Sequence, residues 1–247
     1  METQNKYLLL ARRAREEDNA EDARKYYDMV RTEDPENAEA KFFYSYYRMF
    51  SDTKGHAYSN YVNFCKGIKP TTSMILGSED TADEKKKFLL TIVDCLEDAF
   101  DAACSANRDI GAQNGLEILS AYKTTKSELI STMMKNFGDD VDVLLAHYNF
   151  KVYEAEHGSY GHEHMIKYNL GDEIESKYAN EPRLMEFAVK VWKDNIAKQQ
   201  HAWGTPSAKE CPGYPEKYAE KVKKYEPSYQ MPSRTQSQIC CIKFGKK

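Results

Sequence analysis

The sequence predicts an all-α fold in which N-terminal helical hairpins stack as an α-solenoid, continue into an irregular helical bundle and end in a mobile C-terminal tail. Three observations carry this expectation. Twelve Gly and eight Pro in 247 residues are too few for the many turns of a sandwich or barrel. Apolar residues recur at three- and four-residue intervals along most of the chain, the period of a helix with one buried face. In the N-terminal third, matched small and large residues return after 34 residues, the length of a two-helix repeat.

Residues 1–35 read as two helices around a turn at Asp18 and Asn19, because Leu8, Ala11 and Arg15, then Ala23, Tyr27 and Val30, fall at helical spacing. Asn19 suits an N-cap, Glu21 and Asp22 favour the positive end of the helix dipole, and Pro35 closes the second helix. The plan returns 34 residues later, with Ala23 recurring as Ala57, Tyr27 as Tyr61, Leu10 as Tyr44 and Ala11 as Ser45. Pro70 is expected to end this second hairpin, so that 4–71 forms a two-repeat unit and 71–80 a linker. A capped helix start at Thr81 to Glu84 then leads into a long amphipathic helix over 83–108, with Leu89, Ile92, Val93, Leu96, Phe100 and Ala103 on one stripe. Further helices are expected at 113–136, 140–156, 163–178 and 182–202. They make 81–203 a bundle, or a solenoid continuation, that covers the open apolar face of a short repeat array. Pro215 opens a short helix over 214–226, and 227–247 reads as a basic, mobile tail.

Residues 4–37 resemble the tetratricopeptide repeat family. Tyr7 stands at the large aromatic position, Leu10 and Ala11 at the large and small pair, Ala23 at the second small position, Tyr27 at the aromatic and Pro35 at the end. The second repeat, beginning AEAKFFYSYYRMF, departs from the pattern at Lys41 and at its late proline. The opening KYLLLARRAREEDNAEDARKYYDMVRTEDPENAEA and the closing KKYEPSYQMPS are also similar to the helical body of uncharacterised bacterial proteins that join a zinc ribbon to tetratricopeptide-like helices. That resemblance covers 4–75 and 214–232. The ribbon is missing, so no metal function carries over. The family implies a curved stack in which the first helix of each repeat lines a concave wall open to a peptide.

Charge and cysteine usage narrow the function classes. Thirty-five Lys plus Arg against 39 Asp plus Glu give −4, which provides no overall positive field for nucleic acid. From Tyr214 onward eight basic residues face three Glu, a local +5 that leaves −9 for the rest. The mean hydropathy of −0.76 comes with no apolar run near the ~20 residues of a membrane span. Leu8 to Leu10 is too short for a signal core and meets Arg12 and Arg13 at once, so a cytoplasmic protein is expected. Six scattered cysteines without a CxxC pair suggest reduced thiols rather than disulfides or zinc.

Several clusters invite a chemical reading. His157, His162 and His164, with Glu154, Glu156 and Glu163, hold suitable donors for zinc or nickel, but none of the histidines has the i, i+4 pairing of a helical metal site, and a solvated loop is expected. Cys240 and Cys241 near Lys243, Lys246 and Lys247 have the makings of a lipidated tail, against a plain unstructured end. Asp139, Asp140 and Asp142 sit where acids stabilise a helix start. No phosphate loop, GxSxG elbow or recognisable Cys–His nucleophile is present, so a non-enzymatic protein without cofactor is expected. The leading candidate is the first-helix wall: Asn5, Leu8, Arg12 and Arg15 from repeat one, Phe42, Tyr46 and Met49 from repeat two. Guanidinium groups there can grip a carboxylate while aromatic rings supply contact area, which points to an acidic or C-terminal peptide of a protein partner. A metal-dependent protein centred on the three histidines and a self-association module are the alternatives.

Overall fold

The structure, a computed structural model, describes residues 6–51, 57–106, 112–157, 162–201 and 214–232. Among the described residues the chain forms ten α-helices and no strand: α1 (Lys6–Glu16), α2 (Ala20–Glu33), α3 (Ala38–Ser51), α4 (Ala57–Gly77), α5 (Ala82–Ala106), α6 (Ala112–Phe137), α7 (Val141–His157), α8 (His162–Tyr178), α9 (Pro182–His201) and α10 (Tyr214–Tyr225). No helix of the described residues is long and apolar enough to cross a membrane.

Local chemistry sets most helix ends. Asp18 takes a left-handed conformation with φ 54°, tolerable for a short polar side chain, and turns the chain so that Asn19 Oδ1 accepts from the Asp22 amide at 3.2 Å. Thr81 and Glu84 form a reciprocal capping box, the Thr81 amide donating to Glu84 at 2.9 Å and the Glu84 amide to Thr81 Oγ1 at 3.3 Å. Asp140 Oδ1 accepts from the amides of Asp142 and Val143 at 2.9 and 3.3 Å, and its other oxygen pairs with Lys86 Nζ at 2.7 Å. Asp140 is therefore the N-cap of α7.

The chain divides into two compact units, residues 1–146 and 147–247. The sequence-based reading instead set a linker at 71–80 between 4–71 and 81–203. In the first unit each helix packs on the next, and α3 also meets α5 while α4 meets α6. Ala11 and Ala23 are fully buried in the α1–α2 contact region, where missing side-chain bulk lets helices approach closely. Phe42 lies 5.7 Å from Phe64 and 6.0 Å from Phe88, and Tyr27 stacks on Phe43 at 5.2 Å. A second core forms where Phe100 stacks on Tyr122 at 4.2 Å.

Pro70 does not end the second hairpin. It lies inside α4, which runs on to Gly77, because Ile68, Thr71, Thr72 and Ile75 on both sides of it are buried and this burial outweighs the lost backbone donor. The expected linker 71–80 is thus mostly helix.

In the second unit α9 packs on both α8 and α10. Trp192 is fully buried and donates from Nε1 to Asp172 Oδ1 at 3.0 Å. α10 buries Tyr218, Ala219 and Val222. Its lysines meet α8, with Lys221 Nζ 2.7 Å from Asp172 and 3.1 Å from Glu175, and Lys224 Nζ 2.7 Å from Glu175. The expected tail from 233 onward, with Cys240 and Cys241, lies outside the described residues.

Candidate functional site

The first-helix wall is already occupied by the chain itself. Arg12 donates from Nε and Nη2 to both carboxylate oxygens of Glu39 at 2.6 to 3.1 Å. Arg15 Nη1 stands 3.6 Å from the same carboxylate, and its guanidinium lies over the Phe43 ring at 4.3 Å. Tyr27 completes the group, its hydroxyl donating to Glu39 Oε1 at 2.9 Å. One carboxylate thus engages both guanidinium groups, which leaves the group with a net charge of +1.

Phe42 and Met49 are 2% and 3% exposed; both are core residues, Phe42 packing on Phe64 and Phe88 of later helices. Tyr46 is half-buried and stacks with Phe42 at 6.3 Å. Burial, reinforced by Cys95 and Asp98, holds its hydroxyl above the usual tyrosine range. Leu8 is half-buried on α1, and Asn5 lies outside the described residues.

Of the three candidate histidines, only the His157 side chain lies among the described residues. His157 ends α7, with Nδ1 3.0 Å from the Tyr153 carbonyl oxygen and its ring stacked on Tyr153 at 4.3 Å. The side chains of His162 and His164, at the start of α8, lie outside the described residues. Among the described residues no three His, Cys, Asp or Glu converge as a metal set.

Among the described residues an open surface lies between α4 and α6. Tyr58 donates to Glu117, and Lys69 Nζ lies 3.1 Å from Glu128. Both pairs have the same sequence offset of 59, so the two helices run parallel in register, the rungs about 16 Å apart at 1.5 Å per residue. Around these rungs is a trough of about 1000 Å³. Cys65, Ile68, Thr72 and Leu129 form buried parts of its lining, and Ser120, Thr124, Ser127 and Ser131 form an exposed wall along α6.

The polar groups of this lining are mostly satisfied internally. Ser73 donates to the Lys69 carbonyl at 3.2 Å and Thr132 to the Glu128 carbonyl at 2.8 Å, so these hydroxyls turn back on their own helices. Thr72, 6% exposed, is different: its Oγ1 has no hydrogen-bond partner. Burial pushes the Cys65 thiol up, which keeps it protonated and a poor nucleophile. Among the described residues no histidine lines the trough. Its chemistry is that of a binding surface: uncharged small side chains at the centre, one hydrogen-bonded and one ion-paired rung across it, and the exposed Lys66 at one side.

Sequence reasoning missed this site, although a signal was present. Ser120, Thr124, Ser127 and Ser131 recur at i, i+4, i+7 and i+11, one stripe of a helix, but apolar periodicity does not register hydroxyl residues. Comparison of the chain with protein families, with curated proteins and with solved structures finds no match.

Proposed function

We propose that this chain is a non-enzymatic adaptor that holds a segment of a partner protein in the α4–α6 trough, on a scaffold whose first hairpins are tetratricopeptide-like. One observation carries the reading. The long trough keeps small, uncharged side chains exposed at its centre, whereas on the wall made by α1 and α3 Phe42 and Met49 are buried and Arg12 and Arg15 are both engaged by Glu39. A stretch of exposed small residues flanked by fixed charges suits the close approach of another chain, with its side chains entering the hollow. A reducing, cytoplasmic setting accords with the free thiols of Cys65, Cys95 and Cys104.

The test fills the trough. Thr124→Trp with Ser127→Trp replaces two exposed residues, so helicity measured by circular dichroism should not change. Capture of the proteins that the wild-type chain retains from its native cell should fall by about tenfold or more, the scale of a blocked interface centre. Capture at wild-type level by the double variant removes the assignment.

A further inference from the structure

We propose that a second copy of this chain docks in the trough, its α6 lying antiparallel against the first α6. The inference rests on reading the trough as the interaction face and concerns how that face is regulated: paired copies close it, and separated copies open it.

Self-complementarity of α6 carries the argument. Glu117 and Lys135 are 18 residues apart, about five full helical turns, so they share one side of the helix. The stripe between them runs Ser120, Thr124, Ser127, Ser131. Reversing α6 about its point between residues 125 and 126 exchanges Ser120 with Ser131, Thr124 with Ser127 and Glu117 approximately with Lys135. An antiparallel pair therefore sets small against small along the middle and an acid against a base at both ends, the isologous contact that a two-fold axis requires. All six residues are exposed. Lys135 has no ion-pair partner among the described residues in which its amine is engaged.

Two further observations point to an occupant. Leu116 lies one turn before Ser120 and is 68% exposed, more than the other large apolar residue left in solvent among the described residues, Leu9 at 47%. Thr72 in the trough lining has a buried hydroxyl without a partner, a group that a neighbouring chain's polar atoms would satisfy. The small stripe allows two helices to approach until backbone and Cβ atoms touch, and the end charges fix the antiparallel direction over the parallel one, which would set Glu117 against Glu117.

Charge reversal with sedimentation equilibrium over the micromolar to millimolar range is decisive. The wild-type chain is expected to reach dimer mass. Glu117→Lys alone and Lys135→Glu alone should each weaken association about tenfold, by placing like charges at both ends. The double variant Glu117→Lys with Lys135→Glu should restore wild-type association. Both positions concerned face solvent in the monomer, and circular dichroism checks that folding is intact. A wild-type chain that stays monomeric throughout, or a dimer indifferent to the single reversals, overturns the proposal. If that monomer still loses partner capture in the Trp pair, the inference fails while the adaptor reading stands.

Discussion

Arg12 on α1 grips Glu39 on α3 through both carboxylate oxygens, Nη2 donating to Oε2 at 2.6 Å and Nε to Oε1 at 3.1 Å. Tyr27 on α2 and Arg15 on α1 complete the same group, so one carboxylate ties three helices together. Glu39→Ala is expected to lower stability by about 2–3 kcal/mol, because it leaves a buried hydroxyl and a half-buried guanidinium unmatched. Urea denaturation measures it. Arg12→Glu with Arg15→Glu should destabilise as well, so loss of binding in that pair would report damage to the scaffold.

In the second unit, Gly171 faces the Trp192 ring so closely that an added Cβ would stand 2.4 Å from Nε1. Gly171→Ala is expected to cost about 1–3 kcal/mol through overpacking and to weaken the Trp192 to Asp172 bond. A fall in Tm, with the first unit's stability unchanged, is the expected result.

Glu175 supplies a pH dependence. Burial pushes its carboxyl up, but hydrogen bonds from Lys224, Tyr225 and Lys221 outweigh burial and hold it at about 2, against an ordinary value near 4.5. A carboxyl depressed in the folded state contributes stability above its unfolded value, and that contribution is lost as pH falls from about 4.5 toward 2. Amide hydrogen exchange in α10 should therefore accelerate over that window, once corrected for the intrinsic rate. Glu175→Gln should raise exchange at neutral pH and abolish the acid-dependent step.

The buried thiols give a chemical check on the first core. Burial, with Asp98 and Asp94, pushes Cys95 up to about 12, and burial raises Cys65 as well. Because the thiolate is the reactive form, iodoacetamide at mildly alkaline pH should leave both unmodified in the folded chain and alkylate both in urea. Mass spectrometry of the peptides resolves each site.

What the sequence made legible was local. Asn19, the Thr81 and Glu84 box and Asp140 each act within three residues of their own position, so spacing alone identified them. Pro70 misled because the burial of Ile68 and Ile75 that keeps α4 helical depends on distant helices. The same holds for Phe42, whose neighbours Phe64 from α4 and Phe88 from α5 come from later in the chain. Arg12 and Arg15 looked available because Glu39, their partner, is 27 residues from Arg12. The trough was hidden for a further reason: its wall is defined by what is small, and hydrophobic patterning is blind to that.

Site-specific photocross-linking in the native cell tests the central claim most directly. A benzophenone side chain is placed at Ser127 in the trough or at Leu8 on the α1 wall. The account predicts adducts to another chain, whether a different protein or a second copy, from position 127 and none from position 8. Adducts from position 8 with none from position 127 would contradict it.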